Sequence, residues 1–233
     1  MKQFALCIHD LRASDAEKIP ETIHFVREVF KTRPITIHLI MDRDVSTADA
    51  IFRELKKEVD ENQLEVVFHG VTHMCPEGTG KLFAWYHKYQ AEFMSNSFST
   101  ATNRLRYNSL NETIQKRTGI CPPCWIAIRD GWKFLRSLSP LYIEKLLSVE
   151  SSRKRFFSLP VSLASDNRKE LYFLKVIASV FTSIAIILRH SRLRLVVHTI
   201  DLKTQDSIDF LSGKQSMLIS KGFTPVLQKE FIS

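Results

Sequence analysis

Three short segments of the sequence place histidine beside aspartate or beside a second histidine, each directly after an apolar run. They are CIHDL with His9 and Asp10, VVFHGVTH with His69 and His73, and VVHTID with His198 and Asp201. Imidazole is the commonest side-chain ligand of zinc-like ions, and two imidazoles from one tight loop lower the entropy cost of assembling a site. A carboxylate from another segment would complete three ligands and leave an open position for water. The pattern therefore predicts a metal site with Asp10, His69 and His73 as ligands.

A histidine beside a predicted strand, taken singly, is more often a structural residue than a ligand. The histidines outside the three segments keep that interpretation: His24, His38, His87 and His190. Asp201 has two interpretations, since it could orient the ring of His198 for proton transfer or cap the turn that follows the strand. Both stay open.

An alternation of strands and helices positions the polar segments in the first third of the chain. Continuous apolar runs predict buried strands, and apolar residues at helical spacing predict helices. The predicted order is strand 2–9, helix 20–32, strand 34–41, helix 46–62 and strand 64–69. This order is typical of parallel strands joined by helical crossovers, whose carboxyl ends gather on one face. The three polar segments should meet on that face.

After Gly70 the alternation continues less regularly, beginning with a long polar loop over 70–90. The later predicted elements are a helix over 98–117, a strand over 123–128, a helix capped by Asp130, short strands near 141–149 and 155–161, a helix over 168–189, a strand over 193–200 and a helix over 204–221. Seven or so strand–helix units predict a distorted (β/α)7-type, TIM-barrel-like α/β fold as a single domain over 1–233. An open, doubly wound sheet is the alternative.

The composition is that of an ordinary soluble protein, with 44% apolar residues and a net charge of +8. The positive charge is dispersed except at 151–157, and no zinc-finger, basic-zipper or RNA-binding pattern accompanies it, so no nucleic-acid partner is expected. The N-terminal segment MKQFALCIHDLR reaches histidine and charge too soon to hold the apolar region of an export signal. The most apolar run, 176–188, is too short for a transmembrane segment. These features favour a cytoplasmic protein and do not indicate its oligomeric state.

Cys121 and Cys124 have the C-x-x-C spacing of redox and zinc motifs. A zinc ribbon needs a second pair at similar spacing, and Cys7 and Cys75 lie far apart. A thioredoxin-like pair opens a helix after the first strand, whereas this pair precedes an apolar run. Structural thiols are therefore the favoured interpretation.

The motifs CIHDL, FHGVTH, PPCW and VVHTIDL follow one another in this order, with AEF at 91–93 and TGI before PPCW. In this arrangement the chain resembles the polysaccharide deacetylase superfamily (NodB-homology proteins, carbohydrate esterase family four). The resemblance is strongest to a divergent branch of uncharacterised substrate with HD and HGxTH motifs, and it covers nearly the whole chain. It implies a distorted (β/α) barrel and a metal-dependent hydrolase that removes acetyl groups from N-acetylated sugars.

By this resemblance Asp10, His69 and His73 match the Asp-His-His metal triad of the family. The implied cofactor is a divalent metal ion, zinc in the first place, with cobalt, manganese or nickel as alternatives. His198 matches the histidine of the final motif, which acts as general acid, and Asp201 is the candidate partner that orients it.

The same resemblance assigns Pro123 and Trp125 to a motif that lines the substrate groove. Two positions depart from the family pattern. His9 stands where members carry a second aspartate that serves as catalytic base. Ile120 and Cys121 stand where an arginine often precedes the groove motif. The resemblance therefore supports metal binding more directly than it supports catalysis.

These residue types suit hydrolysis by water that a metal ion activates. A divalent ion polarises the acetyl carbonyl and lowers the pKa of bound water, and His9 could take a proton from that water near neutral pH. His198 would then protonate the leaving amine. The sequence thus predicts a deacetylase that cleaves a C–N amide bond other than a peptide bond, in an acetylated carbohydrate or glycan precursor. The alternatives are a catalytically impaired metal- or carbohydrate-binding protein of the same fold and, less favoured, a thiol redox protein.

Overall fold

The first part of the chain alternates strands and helices as its periodicity predicts. The computed structural model describes residues 1–75, 91–95, 98–161, 180 and 191–232. Up to residue 68 the elements are β1 (Gln3–Arg12), α1 (Ile19–Phe30), β2 (Ile35–Ile40), α2 (Asp49–Asp60) and β3 (Leu64–Phe68). The strands are buried on both faces, which explains their continuous apolar runs, while each helix buries one apolar stripe. The predicted bounds of these five elements are confirmed to within about three residues.

The later part of the chain is less regular. Its helices are α3 (Thr100–Ile114), α4 (Arg129–Ser137) and α5 (Gln205–Ser220). Its strands are β4 (Gly119–Ile120), β5 (Ile143–Lys145), β6 (Ser148–Glu150), β7 (Arg155–Phe157), β8 (Leu159–Pro160), β9 (Arg192–His198) and β10 (Thr224–Val226). The helices predicted over 98–117 and 204–221 and the strand predicted over 193–200 are confirmed.

Two local predictions are wrong. The strand expected over 123–128 is displaced to β4, and Pro123–Trp125 form a 3₁₀ turn, since the paired prolines supply no N–H groups to a strand ladder. Asp130 does not cap α4, which begins at Arg129 without a side-chain cap. Asp130 lies instead in the first turn, where its carboxylate pairs with Lys133 at 2.8 Å and favours the helix dipole.

Two predicted elements fall largely outside the described residues. The helix over 168–189 lies there apart from residue 180, and the loop over 70–90 lies there beyond residue 75. Within the described ranges, every helix is too short or too polar to cross a lipid bilayer.

The strands form one sheet in the order β7-β6-β5-β4-β3-β2-β1-β9-β8, and β10 pairs with the beginning of β1. The pairs from β4–β5 through β1–β9 to β8–β9 are parallel, whereas β6 is antiparallel to both of its neighbours. Only Ser158 separates β7 from β8, so residues 155–160 pair with β6 through one half and with β9 through the other. This segment brings the two ends of the sheet together. The result is a nearly closed, distorted α/β barrel, which confirms the predicted fold class.

Because β1, β3 and β9 are parallel, their carboxyl ends lie at the same rim of the barrel. His9 of β1 and His198 of β9 are direct register partners across neighbouring strands. The β1–β2 pairing shifts register between Ile8 and Leu11, which marks a bulge at His9 and Asp10. The topology thus gathers the three polar segments, as the sequence predicts.

Candidate metal centre

The three predicted metal ligands come together at this rim. Asp10 Oδ1 lies 3.2 Å from His73 Nε2 and 3.5 Å from His69 Nε2, and the two Nε2 atoms are 3.2 Å apart. Two ligands bonded to a tetrahedral zinc ion at about 2.0–2.1 Å lie about 3.3 Å from each other. The three separations therefore match those between three ligands of one tetrahedral zinc ion.

The bulge in β1 aims Asp10 at the two imidazoles. Asp10 has a φ of +63°, in the left-handed region that a residue with a side chain rarely adopts. Such a backbone costs on the order of 1–2 kcal/mol and persists only where the surrounding structure fixes it. A regular strand would have directed this side chain to one face of the sheet, whereas the bulge redirects it.

His69 follows β3 and is fixed by its other ring nitrogen. Its Nδ1 lies 2.7 Å from the carbonyl oxygen of Cys121. A carbonyl oxygen only accepts, so Nδ1 carries a proton that it donates, and Nε2 is the ring nitrogen that faces Asp10. The ring is therefore held in the orientation that a metal ion requires.

His73 is presented by a tight loop that a single buried carboxylate holds. Glu92 Oε2 accepts the backbone N–H groups of Val71, Thr72 and His73 at 2.9, 3.0 and 3.1 Å. Its Oε1 accepts from the side-chain amide of Asn103 at 2.9 Å. The loop has no strand or helix to take these N–H groups, so Glu92 supplies the acceptor they need.

Gly70 allows the close approach between the loop and Glu92. It has a φ of +84°, and a Cβ at this position would lie 2.4 Å from Glu92 Oε2 and 3.3 Å from Pro123 Cγ. A side chain at residue 70 would thus force the carboxylate away from the N–H groups it accepts. His73 itself has a φ of +51°, so the loop turns sharply at both of its ends.

The protonation states at this site suit metal binding. Burial alone would raise the pKa of Asp10, but the imidazoles of His69 and His73 that face its carboxylate outweigh burial and hold that pKa well below its usual range. Burial lowers the pKa of His73 and outweighs the opposing attraction of Asp10. Near neutral pH the site therefore offers a carboxylate and a neutral imidazole, the forms in which both groups bind cations.

His9 lies at the centre of a layer of aromatic rings next to the three ligands. Its ring centroid is 3.8 Å from that of His38, 5.2 Å from His69, 5.3 Å from Trp125 and 5.4 Å from His198. The Nε2 of His9 is buried and has no hydrogen-bond partner in the described part of the chain. Burial, with a contribution from the neighbouring imidazoles, lowers the pKa of His9 well below its usual range. The ring is therefore neutral near pH 7, with one nitrogen free to bond to a ligand or water.

His198 and Asp201 form a turn after β9. Asp201 Oδ2 accepts the backbone N–H of His198 at 2.8 Å and lies 3.5 Å from its Nδ1. The side chain of Asp201 is almost fully buried, and that of His198 is 16% exposed. Both predicted roles of Asp201 fit this arrangement, since one carboxylate caps the turn and faces the ring. The hydrogen bond from the backbone N–H of His198 corresponds to the capping role. The contact between Asp201 and Nδ1 of the ring corresponds to the orienting role and is at ion-pair distance.

Of the two predicted groove residues, only Trp125 is partly exposed. Pro123 is buried, and its ring packs close to Gly70. Trp125 directs its indole N–H inward to Glu144 Oε1 at 2.6 Å. The indole therefore lies next to His9, while Pro123 packs against the loop at Gly70.

Sequence reasoning missed two buried carboxylates that support the candidate site, Glu92 and Glu144. Glu92 falls in the AEF motif, where a charged residue between Ala91 and Phe93 hints at a buried polar partner. Glu144 is fully buried and carries no comparable motif, and His38, which was given a structural role, hydrogen-bonds to it at 2.9 Å.

Two other groups in the described chain have metal-ligand spacing, and both include His9. They are His9, His69 and Cys121, and His9, His38 and Glu144. Every member of these two groups is buried, whereas the side chain of Asp10 is 27% exposed. A catalytic ion needs an open position that water and substrate can reach. The group of Asp10, His69 and His73 meets that requirement best.

Cys121 and Cys124 do not form a disulfide, and both are thiols. Burial raises the pKa of Cys121 well above its usual range, which disfavours the thiolate that redox chemistry needs. The backbone carbonyl of Cys121 contributes to the site through His69. These observations support the structural interpretation of the thiols.

No protein-family model and no curated protein matches this sequence. Among solved structures, the fold is similar to the crystal structure of a protein from Mycobacterium smegmatis described as a "putative polysaccharide deacetylase". The similarity covers 97% of this chain and 89% of that chain, with a TM-score of 0.53 and 11% sequence identity. This chain has a deacetylase-like barrel fold. The candidate metal centre lies at the carboxyl rim of that deacetylase-like barrel, where parallel α/β barrels place their active sites.

Proposed function

We propose that the protein is a metal-dependent hydrolase that removes an acetyl group from an N-acetylated sugar or glycan precursor. The observation that carries this proposal is the spacing of 3.2–3.5 Å among one carboxylate oxygen and two imidazole nitrogens at the open rim of a deacetylase-like barrel. Asp10, His69 and His73 would hold the ion. Two nitrogens and one oxygen at tetrahedral spacing favour zinc, with cobalt, manganese or nickel as alternatives.

When bound, a divalent cation would polarise the acyl carbonyl and bring the pKa of water towards neutrality. The chain's own residues would move the protons. His9, neutral and with a free Nε2, accepts a proton from the attacking water. His198 donates a proton to the amine as the C–N bond breaks, and Asp201 stabilises the protonated ring from 3.5 Å. The products are acetic acid, which ionises to acetate, and a free amine. The proton that His9 takes up equals the one that His198 gives up, so atoms and charges balance.

Trp125 supports a carbohydrate as the acyl carrier. Its indole is partly exposed beside His9, and the flat apolar face of a sugar ring packs well on an indole. Substrate bound against Trp125 would place its acyl group towards the metal ligands.

The proposal is tested by loading the purified chain with zinc and measuring acetate release from a panel of N-acetylated and O-acetylated sugars. We expect turnover in the wild type, and a loss of at least about 100-fold in Asp10→Asn, because the amide lowers both the charge and the affinity of the site. Cys124→Ser is the matched control. It should release acetate at the wild-type rate, whereas in a thiol redox protein this substitution would abolish activity.

Zinc binding without acetate release from any substrate would refute the hydrolase and favour the metal- or carbohydrate-binding protein. In that case the wild type and Asp10→Asn would differ in metal content alone.

A further inference from the structure

The most extensive buried polar network of the described chain converges on Glu144 in β5. Its two oxygens accept from four side chains that belong to four other segments: His38 Nε2 at 2.9 Å, Trp125 Nε1 at 2.6 Å, Gln228 Nε2 at 2.6 Å and the guanidinium of Arg194. Glu144 and Arg194 are both fully buried. One carboxylate therefore connects four segments of the chain by hydrogen bonds, next to the candidate site.

Stability alone does not explain this arrangement. Burial of a carboxylate and a guanidinium is costly, and an apolar pair of similar volume is often at least as stabilising. The Nη2 of Arg194 donates to the carbonyl oxygens of Lys145, Leu146 and Ser158, whereas its buried Nε has no partner among the described residues. Burial would raise the pKa of Glu144, but Arg194 and His38 outweigh it and keep the carboxylate charged. A permanently charged acceptor in the core is suited to holding specific donors in place.

Among the four donors, Trp125 is the one whose strained backbone requires a further contact to fix its position. It and Cys124 have φ values of +57° and +56°, two consecutive left-handed residues with side chains in one short turn. Each such residue is strained, and the conformation persists only where other contacts fix it. Within the turn, the N–H of Trp125 donates to the carbonyl of Pro122 at 2.8 Å. The charge-assisted bond from the indole to Glu144 is the contact that fixes the ring itself.

We propose that Glu144 is a positioning residue, which locks the indole of Trp125 against His9 and thereby sets the wall of the substrate groove. Glu144 acts on His9 from a second side as well, because the His38 ring that it holds stacks on His9 with a centroid separation of 3.8 Å. The hydrogen-bonding part of this inference stands on geometry alone. Its consequence for substrate rests on the proposed function.

The first test uses the wild-type chain and proton exchange at its tryptophan indoles. The chain has three tryptophans, so a ¹⁵N-labelled sample gives three indole N–H resonances, and Trp125→Phe identifies the one of interest. We expect the indole N–H of Trp125 to exchange with water at least about tenfold more slowly than that of Trp132. Exchange requires the hydrogen bond to break, and a bond to a charged acceptor is strong enough to slow exchange by that factor. The described residues supply Trp132 with no acceptor, so it is an internal reference.

The second test is Glu144→Gln, with Glu150→Gln as its matched control. Glu150 lies on the adjacent strand and pairs with Lys145, outside the network. Glu144→Gln should accelerate exchange at Trp125 about tenfold and shift its resonance, while Glu150→Gln leaves both unchanged.

In the acetate-release assay, Glu144→Gln and Trp125→Phe should each raise KM by about tenfold without loss of bound zinc. Since Glu144→Gln weakens the hydrogen bond that Trp125→Phe removes, the double variant should be no worse than the worse single variant.

Exchange at Trp125 as fast as at Trp132 in the wild type would overturn the proposal, even if Glu144→Gln does not fold. Multiplicative effects of the two substitutions on KM would also overturn it. If Trp125 responds to Glu144→Gln but no acetylated sugar is hydrolysed by the wild type, the positioning role stands and the proposed function fails.

Discussion

The loop that carries His73 depends on one buried carboxylate, and Glu92→Gln tests that dependence. Glutamine preserves the size of the side chain and one acceptor oxygen, but it removes the charge that three backbone N–H groups share at 2.9–3.1 Å. A hydrogen bond to a charged group contributes about 1.5–3 kcal/mol, against about 1 kcal/mol for a neutral one. The loss is about 1 kcal/mol per bond, and because the three bonds share one oxygen we expect a total of about 2 kcal/mol rather than 3.

This loss should appear in metal affinity, since the ion can be bound only when the loop presents His73. A free energy of about 2 kcal/mol corresponds to about 30-fold in affinity. That value lies within the range of about 10–100-fold known for groups that orient metal ligands without touching the ion. The free energy of unfolding of the metal-free chain should fall by a similar amount, about 2 kcal/mol.

The assay is a competition titration of zinc between the protein and a chromophoric chelator, together with urea unfolding of the metal-free chain. Glu112→Gln is the matched control, because Glu112 is an exposed glutamate on α3. The reasoning is refuted if Glu92→Gln binds zinc as tightly as Glu112→Gln does.

Three further predictions concern the same rim. Gly70→Ala should weaken zinc binding at least about 30-fold. Gly222 has a similar φ, but a Cβ at that position would meet no atom within 4 Å. Gly222→Ala should therefore lower the free energy of unfolding only by the backbone strain of about 1–2 kcal/mol and leave zinc binding intact. His198→Ala should reduce the turnover number for acetate release by about 10²–10⁴-fold with unchanged zinc content, and a normal turnover number would remove it from the mechanism. Burial lowers the pKa of both His9 and His38, so as pH falls through about 6.5 the unfolded chain binds protons that the folded chain does not. The unfolding free energy of the metal-free chain should therefore decrease below that pH by up to about 1.4 kcal/mol per pH unit for each histidine, and a flat urea-denaturation profile between about pH 7.5 and 5.5 would contradict this.

The barrel and the convergence of the three candidate ligands were predictable because both depend on patterns that the strands carry. Continuous apolar runs identified β1, β2, β3 and β9, and the polar residues directly after them fell on a common rim once the strands were parallel. The C-x-x-C segment was misassigned to a strand because its apolar residues outweighed the effect of its two prolines.

The supporting contacts were not predictable, since they join segments with no periodic relation. The bulge at Asp10 depends on how β1 pairs with β2 and leaves no mark in the sequence of β1. Glu92 accepts from a loop about twenty residues earlier in the chain, and Glu144 pairs with His38 across an even longer separation. Such contacts are specified by the tertiary fold, and an isolated charged residue in an apolar segment is the only trace that they leave in the sequence.

The central claim is that Asp10, His69 and His73 bind one cation together. The most direct measurement is the metal content, by elemental mass spectrometry, of the wild type and of His73→Ala after equal exposure to zinc and removal of free ion. His24→Ala, which changes an exposed histidine on α1, is the control. We expect about one zinc ion per chain in the wild type and in His24→Ala, and little in His73→Ala. Equal zinc content in all three proteins, or none in the wild type, would contradict the account.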